Sequence, residues 1–249
     1  RKLISNQDIS DAMIKVIAGP EKKTRKRTLK DKKLTAYHEA GHATTSWLLE
    51  FAHPLVKVTI VPRGKALGAA WYLPNERQIT TKEQMYHEMI ATLGGRAAEQ
   101  LIFGHISTGA LSDLEKVTKQ ATAMVAYYGL DERIGNRSYY DSTGQQDYSL
   151  TKPFSEKTAE IIDEQVSKLI ESAYQEALRI LGENLDGLTQ LANKLIDKEV
   201  VFGDDLEMIF GKRPWVKEEI DFPKESQQTT DKGQQSKTDN VTEEDTKNI

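Results

Sequence analysis

The sequence predicts a mainly α fold carrying one small β-hairpin, and three observations lead there. Apolar residues recur three and four apart through segments near 29–51, 80–103, 111–129 and 154–181, the period of a helix with one buried face. Two short runs rich in β-branched and aromatic residues, 56–61 and 69–73, lie between the first two segments, with Pro62, Gly64 and Gly68 marking a turn. No apolar run approaches the roughly 18 residues that span a bilayer, so these residues are expected to be soluble.

Composition narrows the chemistry before any motif is read. The 249 residues contain no cysteine, so disulfides and thiolate metal ligands are excluded and a metal here must use nitrogen and oxygen. Net charge is −4, and the stretch 216–249 holds nine acidic and five basic residues, which accounts for all of it. The remainder is near neutral and offers no general basic field for nucleic acid.

Taken in order, 1–19 reads as a short amphipathic helix through Ile9, Met13, Ile14, Val16 and Ile17, stopped by Gly19-Pro20. A helix that short buries little alone and reads as the last element of something upstream. The stretch 21–33 carries eight basic residues against two acidic, and is taken as a solvated linker and helix start rather than an anion contact.

The helix over 29–51 follows, capped by Thr28 with Asp31 and striped by Leu34, Tyr37, Ala40, Ala43 and Trp47. Within it stands His38-Glu39-Ala40-Gly41-His42, an H-E-x-x-H pattern. Four residues apart on a helix, His38 and His42 leave the same face one turn apart and can share one zinc ion, while Glu39 can reach a water beside it. The bland alternative is two satisfied histidines and an ordinary glutamate. Gly41 costs about 1 kcal/mol against alanine inside a helix, which makes sense if a backbone or a substrate must come close.

His53-Pro54 breaks the chain before the hairpin, which lies next to the metal helix in sequence. An edge strand there could take an extended peptide, with Val56, Val58 and Ile60 as the candidate substrate positions, or it could be purely structural. Thr80 and Glu83 read as the cap of the next helix, which runs by Met85, Met89, Leu93 and Ala97 toward Phe103-Gly104. After a turn over 106–110, a helix from Leu111 carries Leu114, Val117, Ala121, Met124, Val125 and Tyr128 and stops at Gly129. The stretch 134–151 reads as loop, 154–181 as a long helix ending at Gly182, 185–195 and 204–210 as two shorter helices, and 216–249 as disordered.

A catalytic zinc site needs a third protein ligand. A metzincin would place a histidine six residues after His42, where Leu48 stands, and His53, His87 and His105 have no ligating spacing. The acidic candidates on helices are Glu99 and Asp113. Asp113 borders the apolar side of its helix, where a carboxylate needs a partner, yet a first-turn acid is also favoured by the helix dipole. The residues alone leave Glu99 and Asp113 open.

Several ordered stretches carry a resemblance. They are Ile17-Ala18-Gly19-Pro20-Glu21-Lys22-Lys23, Ala36-Tyr37-His38-Glu39-Ala40-Gly41-His42-Ala43 and Lys57-Val58-Thr59-Ile60-Val61-Pro62-Arg63-Gly64. Leu93-Gly94-Gly95-Arg96-Ala97-Ala98-Glu99 and Thr108-Gly109-Ala110-Leu111-Ser112-Asp113-Leu114-Glu115 follow. From its first residues to about Trp215 the chain resembles the protease region of the FtsH family, membrane-bound ATP-dependent zinc proteases of bacteria, chloroplasts and mitochondria. The resemblance implies a helical zinc-metalloprotease domain in which His38, His42 and Asp113 hold one Zn2+ and Glu39 is the base, leaving Glu99 structural or behind the ligands. Leu111-Ser112 departs from the Ser-Asn that many members carry there.

The same resemblance implies a domain order. Residues 1–20 would be the last helix of an upstream AAA+ ATPase lid, 21–33 a basic linker, 34–215 the zinc peptidase domain and 216–249 an acidic tail. No G-x-x-x-x-G-K-[ST] loop occurs, so ATP would act only through an upstream domain. Expected partners are unfolded polypeptides, a homo- or hetero-hexameric ring, and a membrane reached through upstream segments. The expected location is a bacterial inner membrane with the protease facing the cytoplasm, with a mitochondrial inner membrane as the alternative. The rival function is a catalytically inactive relative serving as an assembly or chaperone ring.

Overall fold

The computed structural model describes residues 28–62, 68–72, 79–140, 153–213 and 215. The helix expected over 1–19, most of the basic linker, the hairpin turn at 63–67, the strand end at Leu73, much of the loop over 134–151 and the tail 216–249 lie outside them. Chain order is α1 (Leu29–Leu48), β1 (Leu55–Thr59), β2 (Ala69–Tyr72), α2 (Lys82–Phe103), a 3-10 turn (Thr108–Ala110) and α3 (Leu111–Thr122). A π-type turn (Ala123–Tyr127), α4 (Glu156–Glu183), α5 (Leu185–Lys198), β3 (Val200–Phe202) and α6 (Gly203–Phe210) complete it. The fold is mainly α with a small antiparallel sheet, as the periodicity implies.

Local chemistry explains the boundaries. Thr28 Oγ1 accepts the Asp31 N–H at 3.0 Å and starts α1. That helix ends at Leu48, three residues short of expectation, because Leu49 is extended. The cap of α2 falls one residue later than the sequence reading. Thr81 Oγ1 accepts from Gln84 N–H while Gln84 Oε1 accepts from Thr81 N–H, a reciprocal pair that Thr80 and Glu83 do not make. Gly104 then stops α2 in the left-handed region at φ 68°. Gly182 does not end α4, which continues to Glu183 because its φ is ordinary there.

Helix α1 lies between α2 and α5, and α2 packs in turn on α4. Their shared core holds Ala36, Ala40, Ala43, Met89, Leu93, Ala97, Leu181, Leu188 and Leu195, all at most 1% exposed. The approach of α1 to α2 is close because two glycines face each other. A Cβ on Gly41 would fall on the Gly94 carbonyl oxygen, and one on Gly94 would lie 2.7 Å from the Gly41 oxygen. The helix glycine therefore serves another backbone, not a substrate.

The hairpin forms, but with a third strand. Sheet order is β2-β1-β3, with Val58 opposite Ala70 on one side and Val201 on the other. This corrects the expectation that β1 offers an edge. Both sides of Lys57–Thr59 are taken, Val58 and Ile60 are 0% exposed, and of the three proposed substrate positions only Val56 faces solvent. Among the described residues β2 and β3 are the two edge strands, and β2 packs against the metal helix.

Candidate metal centre

Helix α1 presents His38 and His42 one turn apart, with ring centroids 4.8 Å apart and planes at 81°. Each ring is turned by a bond from behind. His38 Nδ1 lies 2.7 Å from Glu99 Oε1, and the second Glu99 oxygen accepts the Ser107 N–H at 2.7 Å. His42 Nδ1 lies 3.0 Å from the Ala91 carbonyl, which can only accept, so Nδ1 carries the proton there. A carboxylate behind His38 fixes the same tautomer. Both Nε2 lone pairs consequently point forward.

They point at each other and at Asp113. The two Nε2 atoms are 3.1 Å apart, and Asp113 Oδ2 lies 3.3 Å from His38 Nε2 and 3.4 Å from His42 Nε2. Asp113 reaches this place from the first turn of α3. The preceding turn is fixed by Ser107, whose N–H bonds Glu99 and whose Oγ accepts the Gly109 N–H. Three acceptors so close repel one another unless a cation sits among them. Zinc bonds of about 2.0–2.1 Å in a tetrahedron set neighbouring ligand atoms about 3.3–3.4 Å apart, which these separations match. Among the described residues this is the one group of three or more His, Asp or Glu side chains that could hold a metal ion.

The space beside the triangle is kept clear by Gly95. A Cβ there would lie 2.5 Å from His42 Nε2 and 2.6 Å from His38 Nε2, inside the space an ion bound to both would fill. The donor set and this cradle both fit zinc.

Proton binding marks the same point, since a proton on His38 Nε2 would occupy the place of a cation. Burial lowers the His38 pKa, but Asp113 and Glu99 bound to the ring, with Glu39 and Asp113 charges, outweigh it and raise it to about 10. Burial raises Asp113, yet the two histidines hold it well below the usual carboxylate range. The site calls for positive charge.

Glu39 is buried at 7% exposure and lies under the approach to β2. Burial pushes its pKa up, against the pull of His42 and His38. A carboxylate with raised pKa near a metal site is equipped to hold and release a proton.

The pair on α1 and both carboxylate candidates thus meet at one point, with Asp113 facing the gap and Glu99 behind His38. The sequence reading missed two glycines that face these side chains: Gly95 against the histidines and Gly68 against the Glu39 carboxylate. The signal for Gly95 was available: two consecutive glycines inside a helix cost about 1 kcal/mol each, and such a cost implies a contact that alanine cannot make. For Gly68 no local signal existed, since it also reads as an ordinary turn residue.

Known proteins resemble this one closely. The model of peptidase family M41 matches residues 25–209. The ATP-dependent zinc metalloprotease FtsH of Parabacteroides distasonis is 58% identical over 216 residues, 87% of this chain and 31% of the relative. The protein of the same name from Karelsulcia muelleri is 52% identical over 83% of this chain and 33% of its own length. The mitochondrial inner membrane m-AAA protease component AFG3L2 of Mus musculus is 45% identical over 85% of this chain and 26% of the relative. The chain therefore spans about a third or less of these relatives. A family match over 25–209, which takes in both helices of the histidine–carboxylate triangle, and relatives this similar leave one conclusion: the chain belongs to peptidase family M41, among the FtsH zinc metalloproteases.

Proposed function

We propose that this chain is the proteolytic part of an ATP-dependent, membrane-anchored zinc endopeptidase that degrades unfolded polypeptides. The observation that carries the reading is the triangle of His38 Nε2, His42 Nε2 and Asp113 Oδ2 beside a buried Glu39. His38, His42 and Asp113 would hold the ion, which when bound supplies a Lewis acid for the scissile carbonyl and for water. Glu39 takes a proton from the attacking water as its oxygen bonds the carbonyl carbon, then gives it to the leaving nitrogen as the C–N bond breaks. Glu99 keeps the His38 lone pair aimed forward throughout. Substrate adds as an extended strand on the unpaired side of β2, which begins one residue after Gly68, the residue set against Glu39.

The larger setting follows from kinship. ATP-driven unfolding, membrane attachment in a bacterial or mitochondrial inner membrane, and a hexameric ring belong to segments and copies beyond this chain. Among the described residues no helix is long and apolar enough to cross a membrane. Without a motor the chain cleaves loose substrates such as casein slowly and leaves stable folded proteins intact.

The test is Glu39→Gln in the zinc-loaded chain. The amide keeps the shape but cannot accept the proton. Zinc content should stay at the wild-type level while casein cleavage falls by at least about a thousandfold, the combined loss of a general base and a general acid. Cleavage at the wild-type rate would show that another group is the base.

A further inference from the structure

We propose that Gly68 is a positioning residue for the proposed peptidase, fixing the Glu39 carboxylate by leaving it the space where a side chain would stand. The inference rests on the peptidase reading above and goes beyond it by giving strand β2 control over the base. A Cβ built on Gly68 would lie 2.6 Å from Glu39 Oε1, 2.7 Å from Cγ and 2.9 Å from the carboxyl carbon. Its three nearest neighbours are thus atoms of one side chain, the one assigned to proton transfer.

The contact itself decides what a side chain at position 68 would meet. The backbone has little freedom to retreat, because the next residue, Ala69, is already paired with Thr59 of β1. Glu39 has little room either at 7% exposure, so its side chain must turn into another rotamer. A methyl group at position 68 would therefore move the carboxylate while leaving the histidines, which face Gly95, untouched. The metal helix supplies the base, and the first residue before β2 aims it.

The experiment compares Gly68→Ala with the wild-type chain, both loaded with zinc. Zinc stoichiometry should be unchanged, kcat on a fluorogenic peptide should fall about a hundredfold, as for a misplacement near 1 Å, and KM should hold within about twofold. A second arm needs no turnover. Gly68→Ala should lower the melting temperature in the Glu39 background and spare it in a Glu39→Ala background, where the obstructing atoms are gone. An unchanged kcat, a loss of zinc, or an equal melting shift in both backgrounds would each overturn the role of Gly68. A wild-type chain that binds zinc but cuts nothing would instead overturn the peptidase reading, and the catalytic role of Gly68 with it.

Discussion

Asp113 and Glu99 both touch His38, one on each side of the ring, and that difference decides what each can do. Asp113 Oδ2 faces the Nε2 atoms of both histidines, whereas Glu99 is tied to Nδ1 and to the Ser107 N–H. Asp113→Ala should therefore strip zinc in competition with a chelator. Glu99→Ala should still bind it, about 10- to 100-fold more weakly, as is usual when the group behind a ligand is removed. The opposite ranking would give the third ligand position to Glu99. At this scale the sequence discloses the histidine pair, because the spacing of ligands on one helix is local. It does not choose between the carboxylates, because their sides of the ring depend on how the Ser107–Gly109 turn returns α3 to α2. Only kinship pointed to Asp113.

Elements are legible where their chemistry is local and hidden where it is not. The Thr28 cap and the four long apolar stripes announce α1, α2, α3 and α4, and their ends move by two or three residues, except that α3 gives way to the π-type turn at Ala123, short of the expected stop at Gly129. Strand β3 went unseen because Val200-Val201-Phe202 is too short for any period, and it is a strand only because β1 lies beside it. The same corner makes a pH-dependent contribution that can be measured. Asp205, in the first turn of α6, takes an ion pair from Lys194 Nζ at 2.6 Å and the Phe202 N–H at 3.1 Å. The Lys194 contact, against the opposing effect of burial and with help from Phe202, holds its pKa below the usual range. A depressed carboxylate stabilises the fold fully above its unfolded pKa of about 3.9 and loses that contribution as pH falls through the folded value. Asp205→Asn should thus cost about 1–2 kcal/mol at neutral pH, and the gap to wild type should close as pH drops below about 4. Urea unfolding of both proteins across that range reads it, and acid loss of metal, common to both, cancels in the difference. A gap that stays constant with pH would remove the ion pair as its cause.

Over the whole described chain, the metal helix is gripped at both ends by residues far away in sequence. Near its start Lys32 Nζ pairs with Glu199 Oε1 at 3.0 Å, just after α5. At its end the helix has no capping motif, and its last carbonyls find donors beyond α6. Arg213 Nη2 reaches the Leu49 oxygen at 2.9 Å as well as the Ala52 and Ser46 oxygens, and Trp215 Nε1 donates to Leu48 O at 3.4 Å. Trp47 Nε1 returns a bond to Gly211 O at 3.2 Å. A guanidinium at a helix C-terminus also suits the macrodipole. None of this is visible in local sequence, since the partners stand more than 160 residues apart. Removing the guanidinium leaves several carbonyls without their donor, so Arg213→Ala should lower the unfolding free energy by about 2–3 kcal/mol. Arg213→Lys should recover only part, because all these bonds come from Nη2 at the far tip of the guanidinium, which the shorter lysine side chain does not reach. His42 lies nearly two turns before the clasp, so zinc affinity should change far less than stability. Chemical unfolding alongside a zinc titration separates the two, and an Arg213→Ala chain as stable as wild type would mean that water caps the metal helix equally well.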